Sequence, residues 1–194
     1  MLANLRRSFL LSLVFLALLG LAYGFAGTGV SMLFFKHQAE GSLVKEGSRL
    51  IGSAEIEQAW TGPKWFQGRP DASLLTNKPG QVIVSGTQQW GPRSKELEAF
   101  VAAQAARLKR EGIKPTNELV TNSGSLVDPD ISPNGAYAQV DAVANANRLS
   151  VHAVKALVAS HVHGRELGFF GAPYVNVLEL NMALYSLEHS SGRG

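Results

Sequence analysis

Residues 8–30 read SFLLSLVFLALLGLAYGFAGTGV, and the fold of the whole chain follows from what this stretch must do. It sits within 28 consecutive residues, between Arg7 and Lys36, that carry no formal charge. A helix rises about 1.5 Å per residue, so about 20 apolar residues cross a hydrocarbon core of roughly 30 Å. A helix also satisfies its backbone polar groups internally, which a lipid environment demands. The spacing therefore predicts one transmembrane helix over residues 8–30. Residues 1–7 precede it, residues 31–40 form a tether, and residues 41–194 form one α+β domain. Arg6 and Arg7 lie just before the apolar run, whereas Lys36, Glu40, Lys45 and Glu46 behind it are mixed in sign. Retention of positive charge on the cytoplasmic side then sets the N-terminus inside and the domain outside. The competing reading is a cleaved signal peptide, with Ala22 and Gly24 as an A-x-G site. The apolar stretch runs on through Phe25 and Val30 to Phe35, longer than a typical signal core.

Within the helix, Ala17, Gly20, Gly24 and Gly27 recur at spacings of three and four. Small residues at that spacing let a second helix approach closely, and Gly20 to Gly24 is a GxxxG pair. We read this stripe as a packing face toward other membrane helices.

Of the 194 residues, 45% are hydrophobic and 17% charged. The 18 Lys and Arg stand against 15 Asp and Glu, and two of the basic residues are the Arg6–Arg7 pair. What remains is nearly balanced and unclustered, which excludes a nucleic-acid-binding face. With no cysteine, a disulfide scaffold, a zinc finger and a thiol nucleophile are excluded too.

Downstream, Leu43, Val44, Leu50 and Ile51 lie among turn residues and predict two short strands. Trp60–Asp71 (WTGPKWFQGRPD) reads as a structured loop, and Gln81–Ser85 as a strand. Ser94 caps a helix that ends at Gly112, with Glu96 and Glu98 early and Lys109 and Arg110 late. Glu118–Thr121 is a strand candidate. Ser132–Pro133 opens a helix running to about Asn147, Ser150 caps another, and Asn176 with Glu179 forms a capping box for the last.

Chemical signals are sparse. Neither G-x-x-x-x-G-K-[ST] nor G-x-S-x-G occurs. His161 and His163 are two apart, which on a helix sends them to different sides, with no third ligand nearby. Asp128-Pro129-Asp130 reads as a turn before a helix rather than a calcium loop. Arg69 is expected to pair with Asp71, and Trp60, Trp65, Phe66 and Trp90 form either a binding surface or part of the core. We assign no catalytic, cofactor-binding or metal-ligating residue to this chain. The different-class alternative is a membrane-anchored periplasmic hydrolase, using a serine with His152, His161 or His163, or a ligand-binding domain.

Taken in order, Glu40–Val44 (EGSLV), Trp65–Ala72 (WFQGRPDA), Glu118–Thr121 (ELVT), Asp130–Pro133 (DISP) and Val175–Asn181 (VNVLELN) behind one membrane helix resemble the C subunit of the Kdp-type potassium-transporting ATPase. Gln67 stands where a histidine is common in that family, and no role is given to it. The resemblance implies a four-part inner-membrane complex: a potassium-translocating A subunit, a P-type ATPase B subunit, a small F subunit and this chain. It implies that ATP, Mg and potassium are used by the complex, and that the C subunit acts as a catalytic chaperone raising the ATP affinity of the ATPase subunit. A P-type D-K-T-G and a T-V-G-Y-G filter are both missing here. The expectation is thus a non-catalytic accessory subunit, single-pass in the cell inner membrane, with its C-terminal domain periplasmic or extracellular.

Overall fold

A computed structural model describes residues 1–71, 85–86 and 88–191. They divide into two compact units, Met1–Leu43 and Val44–Gly194.

The first unit is one long helix, α1, spanning Leu2–Phe34, followed by the short helix α2, Lys36–Ala39. None of the most apolar window of α1 is buried against protein, as expected of a helix whose solvent is lipid. Between Leu16 and Ala22 it widens to a π-helix. Two of its hydroxyls are absorbed locally: Ser12 Oγ donates to Ser8 O at 2.9 Å and Thr28 Oγ1 to Gly24 O at 3.0 Å. The helix is longer than residues 8–30 at both ends, and its last turns occupy part of the expected tether.

The second unit is mixed α and β. β1 (Leu43–Glu46) and β2 (Arg49–Ser53) make a mostly exposed hairpin. α3 (Lys95–Arg110) starts where Ser94 Oγ accepts Leu97 N–H at 3.1 Å, and it is closed by Gly112 at φ +74°. Then follow α4 (Asn117–Val120), β3 (Asp130–Ile131), α5 (Pro133–Tyr137), α6 (Val140–Asn147), α7 (Val151–Ser160), β4 (Val175–Asn176) and α8 (Val177–Ser191). β3 and β4 pair antiparallel, Asp130 opposite Asn176 and Ile131 opposite Val175. Ser132, Ser150 and Asn176 all accept a backbone N–H at the helix starts expected of them. The core gathers Leu108, Ile113, Leu119, Val143, Val154, Val158, Leu180 and Leu184 around Phe66.

Three local expectations are corrected. Glu118–Thr121 is not a strand: Asn117–Val120 form a helical turn, because Leu119 and Val120 are both buried and adjacent strand residues face opposite ways. The helix from Ser132 breaks at Ala138–Gln139, where Gln139 turns its side chain into the core to bond a loop backbone. His161 and His163 do not share a helix, since α7 ends at Ser160 and His163 pairs with Tyr174 in an isolated bridge. The expected strand at Gln81–Ser85 falls, but for Ser85, outside the described residues.

Candidate functional site

The loop Lys64–Asp71 contains no strand, yet Phe66, Gln67 and Asp71 are buried. Its backbone groups are met by side-chain amides from three places on the helices. Asn181 of α8 accepts Phe66 N–H at 2.9 Å and donates to Phe66 O at 2.8 Å. Gln139, between α5 and α6, does the same for Gln67, at 2.8 and 3.0 Å. Asn147 of α6 donates to Lys64 O at 2.8 Å. The Asn181 and Gln139 amides each give the loop one donor and one acceptor and so copy half a strand neighbour. Two adjacent residues are held as a sheet would hold them, by helices.

This fixed loop walls a cavity of about 190 Å³ whose lining includes Glu57, Trp60, Gln67, Arg69, Asp71, Gln104, Arg107 and Glu111. Gln67 is a hub there. Its Nε2 donates to Glu111 Oε2 at 2.5 Å and to Gly62 O at 3.2 Å, and its Oε1 accepts from Arg107. Arg107 also faces Glu111 at 3.4 Å, one turn on. The expected Arg69–Asp71 pair does not form. Arg69 Nη2 donates to Asn122 O at 3.0 Å, and Asp71 accepts from Ser123 N and Oγ at 2.6 and 2.8 Å. Both tie the loop to residues 122–123, a structural role reached through other partners.

Glu57 is only 2% exposed. Burial, then its hydrogen bond to Asp71, pushes its carboxyl from 4.5 up to about 10, so the group is protonated at neutral pH. Gly68 makes room for it: a Cβ on Gly68 would stand 2.2 Å from Glu57 Oε1. Four buried side-chain atoms lack a partner among the described residues, and Glu57 Oε2, Trp60 Nε1 and Arg69 Nε belong to residues lining this cavity. The arrangement can hold a small polar group or ordered water. Arg107 is balanced by Glu111, and among the described residues the lining holds no nucleophile beside a base.

The other singled-out residues are placed as follows. Phe66 is core, Trp60 and Trp65 pack against that core with their rings 4.9 Å apart and tilted by 46°, and Trp90 meets Phe100 at 5.3 Å. Ser160 Oγ lies 3.1 Å from His161 Nδ1, but both bond Leu157 O and so close the end of α7. His163 stacks on Tyr174 at 4.8 Å and faces Glu179 at 3.5 Å. No group of three His, Cys, Asp or Glu able to hold a metal ion occurs among the described residues. On α1, a Cβ at Gly24 or Gly27 would meet nothing within 4 Å, and one at Gly20 only Leu16 Cδ1 at 3.8 Å. Ala17 and Gly20 lie in the π-helical segment, with Arg6 and Arg7 in the first turns. Sequence reasoning missed Gln67, Glu57, Gln139 and Asn181. For Gln67, Gln139 and Asn181 the only local signal is a polar residue beside apolar or aromatic ones, and Glu57, in Glu55-Ile56-Glu57-Gln58, carries none.

Comparison with known proteins agrees across the chain's length. The family model described as K+-transporting ATPase, c chain (KdpC) matches residues 5–186. Among curated relatives, the potassium-transporting ATPase KdpC subunit of Bradyrhizobium diazoefficiens is 43% identical over 195 residues, covering 95% of this chain and 97% of the relative. That of Sorangium cellulosum is 43% identical, covering 95% and 98%. The counterpart from Caldanaerobacter subterraneus is 40% identical, covering 93% and 94%.

Proposed function

This chain belongs to the KdpC family, the c chain of the K+-transporting ATPase, and from that premise we propose how it serves its complex. It is a membrane-anchored, non-catalytic accessory subunit of the potassium uptake complex; the hydrolase alternative finds no support. Its companions are the potassium-translocating A subunit, the P-type ATPase B subunit and the small F subunit. ATP, Mg and potassium are handled by them. α1 crosses the inner membrane with Arg6 and Arg7 on the cytoplasmic side, and the domain stands outside. The helix packs on neighbouring membrane helices through Ala17, Gly20, Gly24 and Gly27. The domain steadies the assembly from the outer side, and any effect on ATP use passes through the membrane helices or the stability of the complex.

The observation that carries this reading is the spacing of Ala17, Gly20, Gly24 and Gly27 at intervals of three and four along one long, bulky apolar helix. In lipid, close backbone approach is what such a face supplies. Replacing Gly20 and Gly24 together with Leu is expected to lower co-purification of the other subunits several-fold. Unchanged yield of the complex would overturn the packing claim, and a reporter after Gly194 active only in the cytosol would overturn the orientation.

A further inference from the structure

Three residues lining the cavity beside the Lys64–Asp71 loop carry a buried polar atom with no partner among the described residues: Glu57 Oε2, Trp60 Nε1 and Arg69 Nε. The polar groups around them are engaged. Gln104 Oε1 accepts from Arg107 Nε at 3.0 Å, and Gln67 is bonded through both ends of its amide. Arg69 Nη2 and the Asp71 carboxyl are held by Asn122 and Ser123. A buried atom left without a hydrogen bond is destabilising, and folded proteins keep few of them. Of the four such side-chain atoms among the described residues, three line this one cavity.

Their chemistry describes the occupant they lack. Glu57 holds its proton and hydrogen-bonds Asp71. Two carboxyls bond only through a proton, so Glu57 donates to Asp71 and its Oε2 is left as a carbonyl acceptor. Trp60 Nε1 and Arg69 Nε are donors. Formal charge on the rest of the lining cancels, Arg69 and Arg107 against Asp71 and Glu111. The occupant therefore offers a donor and two acceptors and no net charge. Size narrows it further. The 190 Å³ of the cavity equals the liquid share of about six waters at roughly 30 Å³ each. A buried water takes two to four polar partners, and three free atoms do not anchor six waters. Ala59, Trp60 and Pro70 add an apolar stretch of wall, and the exposed Ala59 and Thr61 mark a mouth.

We propose that this cavity binds a small neutral polyol of about six heavy atoms, whose hydroxyls donate to Glu57 Oε2 and accept from Trp60 Nε1 and Arg69 Nε. A hydroxyl donates and accepts through one oxygen, which suits a lining that mixes the two roles, and the carbon frame between hydroxyls covers the apolar wall. An anion would answer the two N–H groups but turn its charge on a carbonyl oxygen. A cation would meet two N–H donors. The walls stand ready before the ligand arrives, because Asn181 and Gln139 already hold the loop backbone, so little ordering opposes binding. The site belongs to the domain by itself and is independent of the subunit assembly proposed above.

The test titrates glycerol into the full, isotope-labelled chain in detergent micelles and follows the indole N–H signals by NMR, assigned by changing each tryptophan to phenylalanine in turn. The Trp60 signal is expected to shift and saturate, with a dissociation constant of about 10 mM or below. Trp90, packed on Phe100 and absent from the lining, is expected to stay in place. Dimethoxyethane, of matching size but without an O–H donor, is expected to bind at least ten-fold more weakly. Trp60→Phe keeps the aromatic wall and loses the N–H; it is expected to weaken the saturable, glycerol-dependent rise in unfolding temperature several-fold. An unmoved Trp60 signal means that the cavity takes water only and overturns the proposal. So does a rise that is linear in glycerol and equal in the variant, which is general exclusion of the co-solvent. Tighter binding of acetate or of potassium chloride than of glycerol overturns the neutral assignment. Should Trp60→Phe fail to fold, glycerol against dimethoxyethane on the unaltered chain decides.

Discussion

Helix α1 and the loop Lys64–Asp71 face the same physical demand and meet it by opposite means. In α1, each interior N–H and C=O is answered within a turn or so, down to the hydroxyls of Ser12 and Thr28, which bond four residues back. In the loop, Lys64, Phe66 and Gln67 are answered by side chains 83, 115 and 72 residues away. The helix needs no partner to be a helix. The loop has no conformation of its own until α6, α8 and Gln139 are in place. The difference teaches where a substitution is felt: locally in one region, across the whole domain in the other.

The most severe break is expected at Asn181. Asn181→Ala strips both partners from the buried Phe66 backbone, at about 1–3 kcal/mol for each orphaned group, so a total near 4 kcal/mol. The three tryptophans, Trp60, Trp65 and Trp90, all lie in the domain, so their near-UV signal during thermal unfolding reads the effect without interference from α1. A loss below about 1 kcal/mol would mean that the loop holds itself.

A second substitution sharpens the comparison through pH. The folded domain keeps a proton on Glu57 up to about pH 10, while an unfolded chain releases it near 4.5. The folded state binds more protons across that window, so stability falls as pH rises through it. Glu57→Gln stays neutral throughout. It is expected to unfold like the wild type near pH 4.5 and to be more stable at pH 8.5, by about 2–4 °C or more. Equal curves at both pH values would show that Glu57 is ionised in the fold.

The smallest effect tests the local side of the comparison within the same domain. Ser150→Ala removes one cap bond, from Ala153 N–H at 3.1 Å, and is expected to cost about 1 kcal/mol, read in the same unfolding curves. A cost equal to that of Asn181→Ala would mean that local and distant partners support this fold alike.

Legibility in the sequence tracks this division. The apolar helix, the caps at Ser94, Ser132, Ser150 and Asn176, and the closing Gly112 rest on residues within a few positions of one another; the caps and Gly112 are where the spacing puts them, and the helix contains residues 8–30 and runs past both ends. The Glu118–Thr121 expectation failed because the burial of both Leu119 and Val120 comes from packing that no short window contains. The Arg69–Asp71 pair failed for a related reason. Adjacency on the chain suggested it, but Asn122 and Ser123, brought alongside by the fold, offer these groups better-placed partners. The choice between core and binding surface was open for the aromatics, and the fold puts Phe66 inside the core and Trp60 and Trp65 against it.

By itself the sequence determined that one helix is built for lipid, that a mixed domain follows it, and where most helices begin. Those outcomes depend on hydrophobic run length and on hydrogen bonds spanning three or four residues, quantities fixed by chain order. The tertiary structure alone decided that Gln67 sits at the centre of a polar cavity and that Glu57 carries its proton. A side chain's dielectric surroundings and its distant partners come into being only when remote segments meet, and no local spacing encodes them.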